Sequence, residues 1–171
     1  MIHAPRPSRP ARATPGFSLV ELTIVVLILS ILAAMVIPKI SSGTDESRTS
    51  ATAATVKSVN TMIQYEINDP DNGGAIPATV DPGWFANNQL PVHPWDESYS
   101  GTRVEIDATA TAQQTHPTFK TFRGTGVFWY NPRNGRFRAL IPDQGDANAN
   151  LDLYNAVNAS AITAWDQTTG G

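Results

Sequence analysis

An apolar run from Phe17 to Ile37 contains a single charged residue, Glu21, and ends at Pro38. About 20 residues at ~1.5 Å rise per residue are enough to cross the ~30 Å hydrocarbon core of a bilayer, so the run predicts a membrane-spanning helix over residues 17–37. An ionised carboxylate in hydrocarbon costs at least ~2.5 kcal/mol. No Lys or Arg lies between Gly16 and Pro38, so Glu21 needs a cation from outside the run.

The segment before this run supplies such a cation if it is removed. Residues 1–16 carry Arg6, Arg9 and Arg12 among prolines and have no acidic residue, which is typical of a basic cytoplasmic leader. Cleavage after Gly16 would make the amine of Phe17 the new N-terminus. That amine would lie about one helical turn from Glu21 in the same chain, and it could also pair with Glu21 of a staggered neighbouring copy.

The segment from Gly16 to Val26, GFSLVELTIVV, closely resembles the prepilin cleavage and methylation motif of type IV pilins and type II secretion pseudopilins. The likeness extends to Pro38, where that family often has a helix-softening proline. The resemblance implies that a prepilin peptidase and methyltransferase removes the leader and methylates the amine of Phe17. It also gives Glu21 the role of pairing with the N-terminal amine of a neighbouring subunit. Arg12 stands farther from Gly16 than the last basic residue does in many family members.

The resemblance further implies where such a subunit works. The precursor would cross the inner membrane once and would contact its lipid, with the C-terminal domain in the periplasm. Many copies, together with other pilins or pseudopilins, would then assemble on an inner-membrane platform. The filament would be a periplasmic pseudopilus or a cell-surface pilus.

Two other kinds of N-terminal segment have a similar composition. A secretory signal peptide with a cleavage site near Ser41–Gly43 is one, and an uncleaved signal anchor is the other. Neither accounts for Glu21 or for the Gly16–Phe17 junction ahead of the apolar run.

Composition limits the rest of the chain to one small domain. Of 171 residues, about 100 remain after the leader and a long helix. The net charge of −3 becomes more negative when the leader arginines are removed, so no general attraction to nucleic acid or anionic lipid is expected. Cysteine is absent, so stability must come from packing or from a bound ion.

Residues 38–68 predict an amphipathic continuation of the helix after a polar interruption, with Thr44 or Asp45 capping the restart. Apolar residues recur at spacings of three and four, which predicts one buried stripe beside a polar face. The stripe consists of Val56, Val59, Met62, Ile63 and Ile67, and the polar face of Thr49, Lys57, Asn60 and Gln64. Asp69-Pro70 followed by Asn72-Gly73-Gly74 ends the helix near Asn68.

Residues 69–171 predict the outer domain. A loop with a short helix near residues 84–88 precedes an alternating strand at residues 103–107, and residues 119–122 are a weaker strand candidate. The clearest pair is a hairpin of residues 126–130 and 136–141, joined by Asn131-Pro132-Arg133-Asn134-Gly135. The predicted fold is α+β and pilin-like, with a long N-terminal helix on a small antiparallel sheet and a short C-terminal helix at residues 153–157.

Two clusters of side chains are candidates for binding. Oxygen-bearing residues near the C-terminus alternate as in cation-binding loops, and pseudopilins, which this chain resembles, use calcium in that region. A polar turn that caps a helix explains the same residues without an ion. The candidate ligands are Asp143, Asp146, Asn148, Asn150 and Asp152.

The second cluster is on the predicted hairpin. Its arginines lie beside aromatic residues and could bind DNA, although hairpin aromatics more often pack in a core. The residues are Arg123, Arg133, Arg136, Arg138, Phe128, Trp129, Tyr130 and Phe137.

No enzyme motif is present, since there is no Gly-x-Ser-x-Gly, phosphate-binding loop or His-Glu-x-x-His. The resemblance to prepilins implies a structural filament subunit, with a type II secretion pseudopilin favoured. The alternatives are a minor or adhesive type IV pilin and a DNA-uptake pseudopilin.

Overall fold

The computed structural model describes residues 16–96, 103–124 and 126–171, and for residues 33–42 it describes the backbone alone. The remainder of the predicted leader, residues 1–15, lies outside the described residues. The chain divides into two compact units, residues 1–42 and 43–171. The elements in chain order are α1 (Leu19–Ile67), β1 (Val104–Ile106), β2 (Phe128–Asn131), β3 (Arg136–Ala139) and α2 (Ala147–Asn158).

The helix α1 runs without a break through the polar stretch that was predicted to interrupt it. The prediction that Thr44 or Asp45 caps a second helix is therefore wrong. Residues 41–46 contain no proline, and the cost of Gly43 and of the polar side chains, at most about 1 kcal/mol each, does not break a helix that other segments extend in both directions. The predicted end near Asn68 is confirmed within one residue.

The predicted apolar stripe of α1 is confirmed for four of its five residues, since Met62 is only half-buried and is not part of the core cluster. Val56, Val59 and Ile63 are buried, and Ile67 is partly buried against the same core. Spacings of three and four place these side chains on one side of a 3.6-residue helix, so they meet the sheet together.

The sheet has three strands in the order β1-β2-β3 and is mixed. The predicted hairpin is confirmed, because β2 and β3 pair antiparallel with Tyr130 opposite Phe137. The prediction of a wholly antiparallel sheet is wrong, since β1 lies parallel to β2 with Glu105 opposite Trp129. Parallel neighbours need a connection of a dozen or more residues, and residues 107–127 are long enough to provide it. Residues 119–122 form one isolated bridge, Thr121 to Ile141, and not a strand.

Side-chain amides close the outer edge of β3. The amide of Asn60 on α1 donates to the carbonyl of Phe137 at 3.0 Å and accepts from its N–H at 3.2 Å. Asn158 on α2 does the same for Ala139, at 2.9 Å and 2.8 Å. Two asparagines thus take the place of a fourth strand and satisfy backbone groups that would otherwise be left unpaired.

The hairpin turn also holds a neighbouring loop. The N–H of Gly135 donates to the carbonyl of Asn131 at 2.9 Å, and Gly135 has a φ of 69°. The side-chain amides of Asn131 and Asn134 both donate to the carbonyl of Gln114. The Asn-Pro and Asn-Gly signals therefore predict the turn correctly, but they do not reveal this second role.

The C-terminal helix begins earlier than predicted. Asp146 caps it by accepting from the N–H groups of Asn148 and Ala149, so α2 starts at Ala147 and not at Leu153. The helix is anchored by Tyr154 and Val157, which are fully buried. Residues predicted as a polar turn are thus helical, because the cap and this buried face favour helix together.

The whole hydrophobic core of the described residues lies in residues 43–171. Its buried apolar side chains extend from Val56 to Ile162, and Phe128 and Phe137 stack at its centre with ring centroids 4.9 Å apart. Residues 16–32 contribute no side chain to this core, so we expect the unit of residues 43–171 to fold on its own.

Candidate functional site

The predicted cleavage junction lies ahead of the first helix. Residues 16–18 have no regular structure and are exposed, and α1 starts at Leu19. A Cβ placed on Gly16 would meet no atom within 4 Å. The described backbone at the predicted Gly16–Phe17 junction is therefore exposed and outside any helix or strand.

Glu21 lies in the first turn of α1, where the N-terminal end of the helix dipole favours a carboxylate. Its side chain is exposed, as is that of Phe17, whose exposed fraction is 76%. The structure thus brings Gly16, Phe17 and Glu21 into one short segment that is open to a partner.

The first part of α1 is apolar on all sides. Large apolar side chains from Phe17 to Leu32 are between 43% and 79% exposed, and they include consecutive residues such as Val25, Val26 and Leu27. Its two hydroxyl groups are bonded to the helix backbone. Thr23 donates to the carbonyl of Val20 at 2.8 Å, and Ser30 donates to the carbonyl of Val26 at 2.7 Å. A helix of this kind has no polar face of its own and suits apolar surroundings.

Among the residues whose side chains the structure describes, no helix is both long enough and apolar enough to span a membrane. The predicted span of residues 17–37 therefore stays a prediction, and its last five side chains lie outside the described set. Pro38 falls within the backbone of α1, and its softening role is likewise untested.

Three of the five predicted calcium ligands lie together. Asp143, Asp146 and Asn150 line a cleft of about 200 Å³ beside Trp165, whereas Asn148 and Asp152 lie on α2 away from its lining. Asp143 accepts hydrogen bonds from Asn150 and from the N–H of Gly145, each at 2.9 Å, and these bonds lower the pKa of its carboxyl group.

These contacts and the cap formed by Asp146 account for the geometry of the turn without an ion. Within the described residues no group of three or more His, Cys, Asp or Glu side chains is placed to hold a metal. The calcium site stays a prediction.

The hairpin aromatics lie in the core. Phe128, Trp129, Tyr130 and Phe137 are each at most 2% exposed, so they cannot stack on bases. Arg138 is also buried, and its guanidinium donates to the carbonyls of Thr115 and Asn158. The structure therefore gives these residues the packing role that hairpin aromatics usually have.

Sequence patterns did not reveal three buried titratable residues. His93 and His116 each precede a proline, which favours an extended or turn conformation, yet both rings are fully buried. Burial lowers the pKa of each to about 4, and for His116 the nearby charge of Arg138 contributes.

Lys120 is buried as well. Its ammonium group donates to the carbonyls of Pro117 and Trp165 at 3.1 Å and 2.7 Å, and burial lowers its pKa to about 8. No local pattern marks these residues, because their partners lie far away in the sequence.

Comparisons with known proteins agree with the motif. The family model described as the prokaryotic N-terminal methylation motif matches residues 12–37. The chain is also similar to the type II secretion system core protein G of Pseudomonas aeruginosa, with 28% identity over 115 residues that cover 56% of this chain and 81% of that protein. No solved structure matches the chain significantly. The resemblance inferred from residues 16–26 is confirmed.

Proposed function

We propose, from the prepilin-type methylation motif and the distant similarity to a type II secretion pseudopilin, that this chain is a structural subunit of a pilus-like filament. The motif at residues 12–37 carries the proposal. The similarity to a type II secretion core protein favours the pseudopilin branch, in which the filament drives protein export. A prepilin peptidase and an inner-membrane assembly platform are the partners this function requires.

The exposed junction supports processing as the first step. Cleavage after Gly16 creates the amine of Phe17, which the enzyme then methylates. The mature chain begins just ahead of α1, with a cation close to the carboxylate of Glu21.

The apolar half of α1 supports membrane anchoring and assembly as the next steps. In the inner membrane its exposed apolar side chains contact lipid, and in the filament they contact the same segment of neighbouring subunits. In both settings Glu21 is costly unless a cation pairs with it. The amine of Phe17 on the adjacent subunit supplies that cation and sets the axial register, while residues 43–171 remain in the periplasm.

Replacement of Glu21 by Gln tests this mechanism. The variant keeps the shape of the side chain but loses its charge, so we expect at least a tenfold loss of sheared filament with normal removal of the leader. The filament yield is measured by immunoblot, and mass spectrometry of the mature protein reads its N-terminus. Glu66→Gln, at the far end of the same helix, is the matched control and should leave the yield unchanged.

Two results would refute the proposal, each at a different step. A mature N-terminus other than methylated Phe17 would argue against processing of this kind. Normal filament yield from processed Glu21→Gln would argue against charge pairing as the basis of register. The abundance of the chain along wild-type filaments separates a major subunit from a minor one.

A further inference from the structure

A cleft of about 640 Å³ lies within the second unit, between α1, β3 and the C-terminal end of α2. This volume falls in the range of about 300–1,000 Å³ that is usual for small-molecule sites. Its walls are formed mainly by small and apolar residues, namely Ala53, Ala54, Val56, Val157, Ala159 and Gly170. None of its lining residues belongs to the first unit or to the predicted calcium ligands.

Three cationic side chains line this cleft, Lys57, Arg136 and Arg138, and no Asp or Glu side chain does, although the last residue, Gly171, is also part of the lining. Arg136 and Arg138 are two positions apart on β3, so their side chains leave the same face of the strand. Their charges interact unfavourably. Burial lowers the pKa of Arg138, the interaction with Tyr154 partly opposes this shift, and the like charge of Arg136 adds to it.

Arg138 is a buried cation that contacts neutral groups. It is 8% exposed, and its guanidinium donates to the carbonyls of Thr115 at 3.1 Å and Asn158 at 2.8 Å. A buried charge is costly unless an opposite charge lies beside it. An anion in the cleft would provide that charge, and the planar guanidinium is suited to carboxylate and phosphate oxygens.

We propose that this cleft binds an amphipathic anion, a carboxylate or phosphate head group attached to an apolar chain. The head group contacts Arg136 and Arg138, with Lys57 at the rim. The apolar chain lies along Ala53, Ala54 and Ala159, where it removes their exposed surface from water. Fatty acids and lipid phosphates both have this chemistry.

Titration calorimetry on residues 43–171 tests the proposal without a membrane mimetic. The probes are decanoate and decyl phosphate, which represent the two sources of the head group. Decyl maltoside has the same chain without charge, and inorganic phosphate has the charge without a chain. We expect one-to-one binding of at least one charged decyl probe, about tenfold or more tighter than either control compound. The tighter of the two charged probes identifies the source.

Variants locate the binding. Arg136→Gln and Lys57→Gln should each weaken it about tenfold. Arg133→Gln removes an exposed cation of the same hairpin that does not line the cleft, and it should have no effect. Ala54→Phe fills the cleft without changing its charge and should abolish binding.

Several outcomes would overturn the proposal. Equal affinity for decanoate, decyl phosphate and decyl maltoside would mean that the apolar chain alone is recognised. Equal effects of Arg136→Gln and Arg133→Gln would mean general charge attraction. If the unit instead forms dimers that Arg136→Gln dissolves, a second copy occupies the cleft.

Discussion

The hydrogen bonds around the buried ring of His93 favour its neutral form. Its Nε2–H donates to the carbonyl of Leu140 at 2.9 Å, and its Nδ1 accepts from the N–H of Trp95 at 3.2 Å. Both nitrogens are therefore satisfied in the neutral form. A second proton on Nδ1 would face another donor. The Nε2–H of His116 donates to the carbonyl of Gly170 at 2.6 Å, and its Nδ1 lies 3.0 Å from the hydroxyl of Tyr154, which can donate to it in the neutral form.

These histidines predict a loss of stability in mild acid. Their pKa of about 4 in the folded state is below the ordinary 6.5, so the unfolded chain binds more protons as the pH falls through that interval. Stability is complete above about pH 6.5. It falls as the pH approaches 4, by up to about 3 kcal/mol for His93.

Urea unfolding of residues 43–171 at pH 7 and at about pH 4.5 measures this loss. His93→Gln keeps a donor for the carbonyl of Leu140 but cannot titrate, so its stability should depend less on pH than that of the wild type. The same pH dependence in both proteins would contradict this explanation.

Asn60 is a second residue whose role depends on a distant partner. It lies on the polar face of α1, yet its amide pairs with the backbone of Phe137, 77 positions away. We expect Asn60→Leu to lower the free energy of unfolding by about 2 kcal/mol, because the N–H and C=O of Phe137 lose their partners. Gln64→Leu, on the exposed side of the same helix, should change it by less than about 0.5 kcal/mol. Equal values from chemical denaturation would contradict this role.

At the scale of elements, the hairpin turn and α1 approach each other closely at Gly135. A Cβ there would lie 3.1 Å from Cδ1 of Ile67 and 3.3 Å from Cγ2 of Ile63. Gly145 has a similar positive φ, 74° against 69°, but its Cβ would meet no atom within 4 Å. A comparison of alanine substitutions at the two glycines therefore separates the cost of backbone strain from the cost of a packing clash.

We expect Gly145→Ala to cost about 1 kcal/mol, from the left-handed backbone alone. Gly135→Ala should cost about 2 kcal/mol or more, because the added methyl group also pushes against the isoleucines. Thermal unfolding followed by circular dichroism measures both. A smaller loss at Gly135 than at Gly145 would show that the turn moves away from the helix without cost.

At the scale of the whole molecule, the two units have different properties. Residues 43–171 contain the core, the sheet and α2, while the segment before them presents exposed apolar side chains and the processing motif. A filament subunit needs both properties, since one part must stay folded while the other exchanges lipid for protein contacts.

The division predicts that residues 43–171 fold without the N-terminal segment. We expect this fragment to be soluble and to unfold in one cooperative thermal transition, because every buried apolar side chain of the described core is retained. Circular dichroism and analytical ultracentrifugation provide the measurement. A broad, non-cooperative transition would mean that the removed residues contribute to the core.

The N-terminal motif, the amphipathic stripe and the hairpin followed from the sequence by itself. Each depends on neighbours within a few positions, such as the Gly16–Phe17 junction, the spacing of Val56, Val59 and Ile63, or Asn134-Gly135 between two strands. Because these residues are close together in the sequence, a local pattern is enough to predict how they are arranged. For the same reason, the α+β class could be predicted.

Only the tertiary structure decided which distant groups meet. The parallel pairing of β1, the asparagine contacts on β3, the neutral histidines and the cationic cleft all join residues that are far apart in the chain. Their energies depend on burial and on a partner brought near by folding. A local pattern records neither, so an asparagine on a polar face and a histidine before a proline look the same whether they are exposed or central to the fold.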